Sequence, residues 1–313
     1  VLQRVMLSTT PQWENLSKWY YNMCRPHLDT ATPEMKKTVE DLTAGVQGDL
    51  ERVKAVFYNV AQKIRYMGIT PEKDRPGFEP HDVKLTFDNK YGVCRDKAAL
   101  LVAMLELAGF KAYPVLINVG TKLDQEVPSP DFNHAIVAVE LKKGEYTLMD
   151  PTAENTKELL PSYECDQSYM VCRPEGEVLK LSPVVPAEEN MLRVETIASL
   201  DTSGTIQAKS TVSFRGINDN AYRGAFARMK PDDKRRFFER MLKRSMAGAR
   251  LISLKVLPED AMDVSVPLHA ELDFSVTGMT AAGSRKAVVS LPWIAGGMGI
   301  VNHVLEGTGL DTR

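Results

Sequence analysis

The chain has 313 residues, 43% of them hydrophobic and 26% charged, and its formal net charge is −2 at neutral pH. This is an ordinary globular composition with room for two domains. The charge balance requires neither a nucleic acid nor an anionic membrane as partner, and no apolar run is long enough to form an integral membrane segment.

From the N-terminus, residues 11 to 69 read as helical. Trp13, Leu16, Trp19, Tyr20 and Met23 recur at three- and four-residue steps, which predicts one apolar helix face packed in a core. Thr32-Pro33-Glu34 is a helix start, with a capping residue, a proline at the first helical position and an early acid. A longer helix is expected from about Leu50 to Tyr66, with a stripe of Val53, Val56, Phe57, Val60 and Ile64. Residues 67 to 91 are rich in proline, glycine and charge and include His81, so they predict a long loop that could wall a cleft.

Tyr91-Gly92-Val93-Cys94-Arg95-Asp96-Lys97 follows, and then an apolar run from Ala98 to Ala108 in which only Glu106 is charged. Gly109 closes the run as a helix C-terminal glycine would. A buried central helix is expected, with Cys94 at its start. Backbone N–H groups and the helix dipole favour negative charge there, and the thiolate is the reactive form of cysteine.

Three strands are predicted next, over Lys111 to Val119, Phe132 to Leu141 and Glu145 to Asp150. Phe132, His134, Ile136 and Ala138 should share one face of the second. Lys142-Lys143-Gly144 is a short turn, so strands two and three should form an antiparallel hairpin. His134 near the start of one strand and Asp150 at the end of its partner then become spatial neighbours. Residues 151 to 190 hold Pro161, Pro174, Pro183 and Pro186 and read as a linker. Beyond it, strands are expected at Met191 to Ser199, Thr205 to Phe214, Leu251 to Leu257, His269 to Val276 and Lys286 to Leu291. A helix over Pro231 to Met246 interrupts them. The fold class is therefore α+β. The expected domains are 1–190, a core with N-terminal helices and linker, and 191–313, a β-rich domain with one helical insertion.

Cys94, His134 and Asp150 have the elements of a thiol acyl-transfer site, with a nucleophile, a proton carrier and a carboxylate that orients the imidazole. A buried cysteine, a satisfied core histidine and a turn aspartate before Pro151 would leave the same trace. Metal motifs are absent, and Gly296-Gly297-Met298-Gly299 lacks the third glycine of a dinucleotide loop, so no cofactor is expected. The basic helix with Lys234, Arg235, Arg236, Arg240, Lys243 and Arg244 reads as a solvated face.

Four segments together carry a resemblance: Tyr91 to Ala98, Leu107 to Ala112, Phe132 to Val137 and Leu148 to Thr152. They resemble the core of the transglutaminase-like superfamily, in particular bacterial members whose core is flanked by β domains of unknown function. The resemblance extends from about Trp13 to Thr152, with Ile64-Arg65-Tyr66 also matching. It departs at Val93, where many such proteins carry aspartate. It implies a papain-like thiol fold, a nucleophile helix packed on an antiparallel sheet, with Cys94, His134 and Asp150 as the triad. It also implies Tyr66 as a candidate donor to the oxyanion, with an ordinary core tyrosine as the alternative.

The expected function is a cysteine-dependent acyl-transfer enzyme on amide bonds, working through a thioester and leaning toward hydrolysis rather than cross-linking. A peptide, protein or cell-wall amide is the expected substrate. The rival reading is a peptide- or glycan-binding scaffold that keeps the fold without the chemistry. The resemblance and the start at Val1 lead us to expect an extracytoplasmic, periplasmic protein whose precursor carries a signal peptide and an N-terminal β domain. In that compartment Cys165 and Cys172 could pair, although two free thiols fit the sequence as well.

Overall fold

The computed structural model describes residues 5–67, 77–283, 285–291 and 298. The chain divides into two compact units, Val1–Glu154 with Glu158–Val184, and Asn155–Lys157 with Val185–Arg313.

The first unit opens with helices α1 (Trp13–Leu28), α2 (Pro33–Thr43) and α3 (Asp49–Lys63). Thr32 caps α2, its hydroxyl oxygen accepting from the Met35 N–H at 3.3 Å. The expected stripe of α3 is buried throughout. The helix stops earlier than its apolar pattern suggests, because Lys97 donates to the carbonyls of Ala61, at 3.0 Å, and Ile64. Those acceptors are withdrawn from the next helical turn, and Arg65–Tyr66 becomes strand β1 instead. It lies parallel to β2 (Tyr91–Gly92), with Tyr66 opposite Gly92. Trp19 departs from the core expectation. It is 41% exposed, with its ring edge-on to Phe78.

Between these strands the expected loop is not structureless. Residues 68–76 lie outside the described residues, and Val83–Asn89 form helix α4, which buries Val83, Thr86 and Phe87. The long central helix is α5 (Cys94–Leu107). Every residue from Asp96 to Leu105 is at most 3% exposed. A buried leucine or valine contributes about 1.5–3 kcal/mol, so this helix is the rigid element of the unit.

Helix α5 packs on a five-stranded sheet of order β5-β4-β3-β6-β7. Its strands are β3 (Lys111–Asn118), β4 (His134–Lys142), β5 (Glu145–Met149), β6 (Ser168–Val171) and β7 (Lys180–Leu181), all antiparallel. Alternation divides the strands between two faces. Ala112, Leu116, Ala135, Val137, Met149 and Met170 join the helices in the main core. Val115, Ile117, Ile136, Ala138, Leu148 and Val171 form a second cluster. Phe132 does not share the face of Ile136 and Ala138. Strand β4 begins only at His134, and Phe132 lies in the main core against Trp13, 6.0 Å between ring centroids.

Within the stretch expected as a linker, 151–190, Ser168–Val171 and Lys180–Leu181 join the sheet as β6 and β7. Val115, Leu116, Ile117 and Asn118 of β3 pair with Val171, Met170, Tyr169 and Ser168. Prolines are tolerated here because they fall outside the short strands. Cys165 and Cys172 are not joined in a disulfide, and the extended run of β6 separates them.

The second unit is built on a four-stranded antiparallel sheet of order β10-β11-β9-β8. Its strands are β8 (Leu192–Leu200), β9 (Ile206–Phe214), β10 (Ala249–Leu257) and β11 (His269–Val276). Between β9 and β10 come α6 (Ile217–Arg228), which the periodicity did not reveal, and α7 (Pro231–Ser245). Arg223 on α6 explains the weak signal: it is a fully buried cation, paired with Asp219 at 2.6 Å and donating to the carbonyls of Ala261, Asp263 and Val266. A small hairpin, β12 (Thr280–Ala282) with β13 (Ala287–Val289), follows. Of Gly296 to Gly299, only Met298 falls within the described residues. No helix among the described residues is long and apolar enough to cross a membrane.

Candidate active site

Cys94 is the first residue of α5, half-buried, just after the β1–β2 pairing. Val93, at the N-cap, has no side-chain acceptor to offer, so Asp96 at the third helical position does the capping. Its Oδ2 accepts from the Val93 N–H at 3.1 Å. Asp96 Oδ1 takes the His81 N–H at 2.9 Å and stands 3.1 Å from His81 Nδ1. Arg95 donates to the carbonyl of Gly77 at 2.9 Å. The loop before α4 is thereby tied to the start of the nucleophile helix, with His81 held by Asp96.

His134 opens β4 and Asp150 follows the end of β5, brought together by the register that pairs Val137 with Met149. His134 Nε2 lies 3.2 Å from Asp150 Oδ2. Asp150 is fully buried, and its Oδ1 also accepts from the Thr152 N–H and hydroxyl, each at 2.8 Å. With Nε2 turned to the carboxylate, Nδ1 is the ring nitrogen left for the thiol.

The electrostatics follow from these contacts. Burial raises the Cys94 thiol, but the hydrogen bond and charge of His134, with the N–H groups of Ala135 and Arg95, outweigh it and hold the thiol below its ordinary 9.0. Burial alone would lower His134, but its hydrogen bonds to Asp150 and Cys94, with the charges of Asp150 and Glu164, push it up to about 11. Asp150 is held below the usual carboxylate range, with His134 prevailing over burial. Ionisation of the thiol is thereby eased by an imidazolium that the buried carboxylate in turn supports.

Tyr66 of β1 is 38% exposed and sits opposite Gly92, two residues before Cys94. Its backbone N–H donates to Glu154 Oε1 at 2.6 Å. Burial raises its phenol, as do the charges of Cys94 and Asp150. The hydroxyl-bearing ring thus stands at the mouth of the site rather than in the core.

One further acidic side chain enters the site. Glu164, in the single turn Ser162–Glu164 before β6, is fully buried, and its Oε1 is 3.4 Å from His134 Nε2. Sequence reading missed it because it lies in the proline-rich stretch. The apolar alternation around Tyr169 and Met170 was the available signal that this stretch returns to the sheet. Among the described residues, His134, Asp150 and Glu164 form a group whose ligand atoms could hold a cation, all within 4.8 Å of one another.

Residues 36–151 match the family model described as the transglutaminase-like superfamily. Human kyphoscoliosis peptidase is 33% identical over 127 residues, 39% of this chain and 18% of that protein. A provisionally named protease from Parabacteroides distasonis aligns with 83% of this chain and 52% of its own, at 12% identity and a TM-score of 0.41. A provisionally named cysteine protease from Cytophaga hutchinsonii aligns with 50% of this chain and 46% of its own, at 18% identity and a TM-score of 0.32. The chain therefore spans about half or less of the length of these proteins. The segment that contains Cys94, His134 and Asp150, residues 36–151, is a domain of the transglutaminase-like superfamily.

Proposed function

We propose that this chain is a cysteine-dependent enzyme that cleaves amide bonds through a thioester acyl-enzyme. The observation that carries the proposal is the placement of His134 between a helix-start thiol and a buried, hydrogen-bonded carboxylate.

The Cys94 thiolate attacks the amide carbonyl and forms a C–S bond. The oxyanion is met by the backbone N–H of Cys94 and by the Tyr66 hydroxyl. The His134 imidazolium gives its proton to the leaving nitrogen as the C–N bond breaks, and the amine departs. Neutral His134 then takes a proton from water. The water oxygen bonds to the acyl carbon, the C–S bond breaks, and the acid leaves with the thiolate restored. Asp150 keeps the ring oriented throughout.

Hydrolysis is favoured over transfer to an amine for two reasons. Tyr66, Tyr91 and Tyr163 are between 38% and 44% exposed, so a thioester at Cys94 faces water. The human relative is itself named a peptidase. The substrate is a peptide or a peptide-like amide of protein or cell wall.

The test is a screen of peptides and muropeptides against the wild type and Cys94→Ala, reading both amine release and incorporation of a labelled amine. Amine release lost in Cys94→Ala is expected. Turnover that survives Cys94→Ala, or amine incorporation that accounts for most of the amine released, overturns the proposal.

A further inference from the structure

The surroundings of His134 hold one acid more than a thiol–imidazole–carboxylate arrangement uses. Nε2 carries a single N–H. Asp150 stands at 3.2 Å from it and Glu164 at 3.4 Å. Asp150 is a well-supplied anion, with the Thr152 N–H and hydroxyl on its oxygens besides His134. Glu164 is the opposite. It is fully enclosed, and neither of its side-chain oxygens receives a hydrogen bond from any donor among the described residues. A charged carboxylate in that position would have no counter-ion of its own and would face a second carboxylate. Two acids so placed do not both ionise, and the better-solvated one keeps the charge.

We propose that Glu164 is a positioning residue of this site: it stands beside His134 and Asp150 as a neutral carboxylic acid, and its proton is directed at Asp150. This inference rests on the thiol chemistry proposed above and adds a fourth side chain to it. The other titratable groups that bear on the cluster agree with the assignment. Tyr163 and Tyr66 flank it as neutral phenols, each raised by burial. Lys97 lies 3.8 Å from Glu154, bears on Asp150 only as a charge, and is itself lowered to about 8 by burial. Burial first, and then the Asp150 charge, push Glu164 well up. The arrangement has a consequence for catalysis. A second anion at Nε2 would hold the imidazolium proton more tightly and oppose its delivery to the leaving nitrogen. A neutral acid supports the ring and Asp150 without that cost.

Infrared difference spectroscopy of the wild type against Glu164→Gln at neutral pH reads the proton directly. The spectrum should lose one band of a protonated carboxyl group. In parallel, iodoacetamide labelling of Cys94 is followed against pH. Glu164→Gln, which keeps a neutral group of the same shape, should retain the wild-type profile. Glu164→Ala should move its midpoint upward by about one pH unit, a tenfold loss of thiolate. No protonated carboxyl band lost in Glu164→Gln overturns the inference, as does a Gln variant that shifts as far as the Ala variant. So does stoichiometric binding of Zn²⁺ that Glu164→Gln abolishes, since Glu164 would then be a metal ligand. If instead wild-type Cys94 labels no faster than Cys165, the thiol chemistry fails. The infrared band still decides the state of Glu164.

Discussion

Replacing His134 by alanine tests the central electrostatic claim. In the wild type the ring's hydrogen bond and positive charge oppose burial at Cys94, and two amide N–H groups assist them. Without the ring, burial faces only those amides, and burial is the largest of the influences. The Cys94 thiol should therefore move from below 9.0 to above it. Two effects then compete in the alkylation rate. Below both pKa values each unit of increase cuts the thiolate about tenfold. The more basic thiolate regains about threefold in nucleophilicity, because the Brønsted coefficient is about 0.4–0.5. The net loss is about three- to fourfold for each unit, constant below both pKa values and shrinking once the pH passes the wild-type one. The assay is therefore iodoacetamide labelling from mildly acidic to alkaline pH, with each cysteine quantified by peptide mass spectrometry. Cys24 is an internal control, since burial holds it up at about 12. The wild-type profile should bend below pH 9 and that of His134→Ala above it. Coincident profiles would refute the claim that His134 sets the state of the thiol.

Four further outcomes are expected. Turnover should rise as Cys94 loses its proton, below pH 9.0, and fall as the pH approaches about 11, where His134 loses its own; both limbs are read from a kcat/KM profile. The stability signs agree with this: the raised His134 contributes fully below its ordinary 6.5 and its contribution is lost as the pH climbs through about 11. Tyr66→Phe should cut kcat by about a hundredfold with KM little changed, and an unaltered kcat would remove Tyr66 from the oxyanion role. In Gly92→Ala the new Cβ would stand 2.8 Å from Asp96 Cβ and 3.2 Å from Thr86 Cγ2, so urea unfolding should show a loss of about 1–3 kcal/mol. Intact mass should be the same with and without reductant, because Cys165 and Cys172 are not joined in a disulfide; a gain of two hydrogens on reduction would contradict this.

The sequence was most legible where burial imposes a period. The central helix, the hairpin that juxtaposes His134 and Asp150, and the strand His269–Val276 all follow from apolar spacing and turn residues. It was least legible where a polar side chain from a distant segment decides local structure. No periodicity reveals that Lys97 ends α3 by taking its carbonyls, or that Tyr66 leaves the helix to pair with Gly92. Glu164 was hidden for a related reason. Prolines around it suggest a linker, and only the register of β6 against β3 brings the segment back under His134.

Two of these misses, the end of α3 and the placement of Tyr66, trace to the first turn of α5. That turn faces three different partners with three consecutive polar residues after the nucleophile. Arg95 and Asp96 bind the loop at Gly77 and His81. Lys97, fully buried, binds the end of α3 and lies 3.8 Å from Glu154, which in turn accepts the Tyr66 N–H. The thiol is thereby fixed relative to both walls of its site by contacts that do not involve the thiol. A substitution at Asp96 or Lys97 should for that reason lower the reactivity of Cys94 without touching the triad. The effect would be a loss of position rather than of chemistry: Asp96→Asn, which keeps an acceptor for the Val93 N–H, should recover most of what Asp96→Ala loses, measured by the rate of Cys94 alkylation.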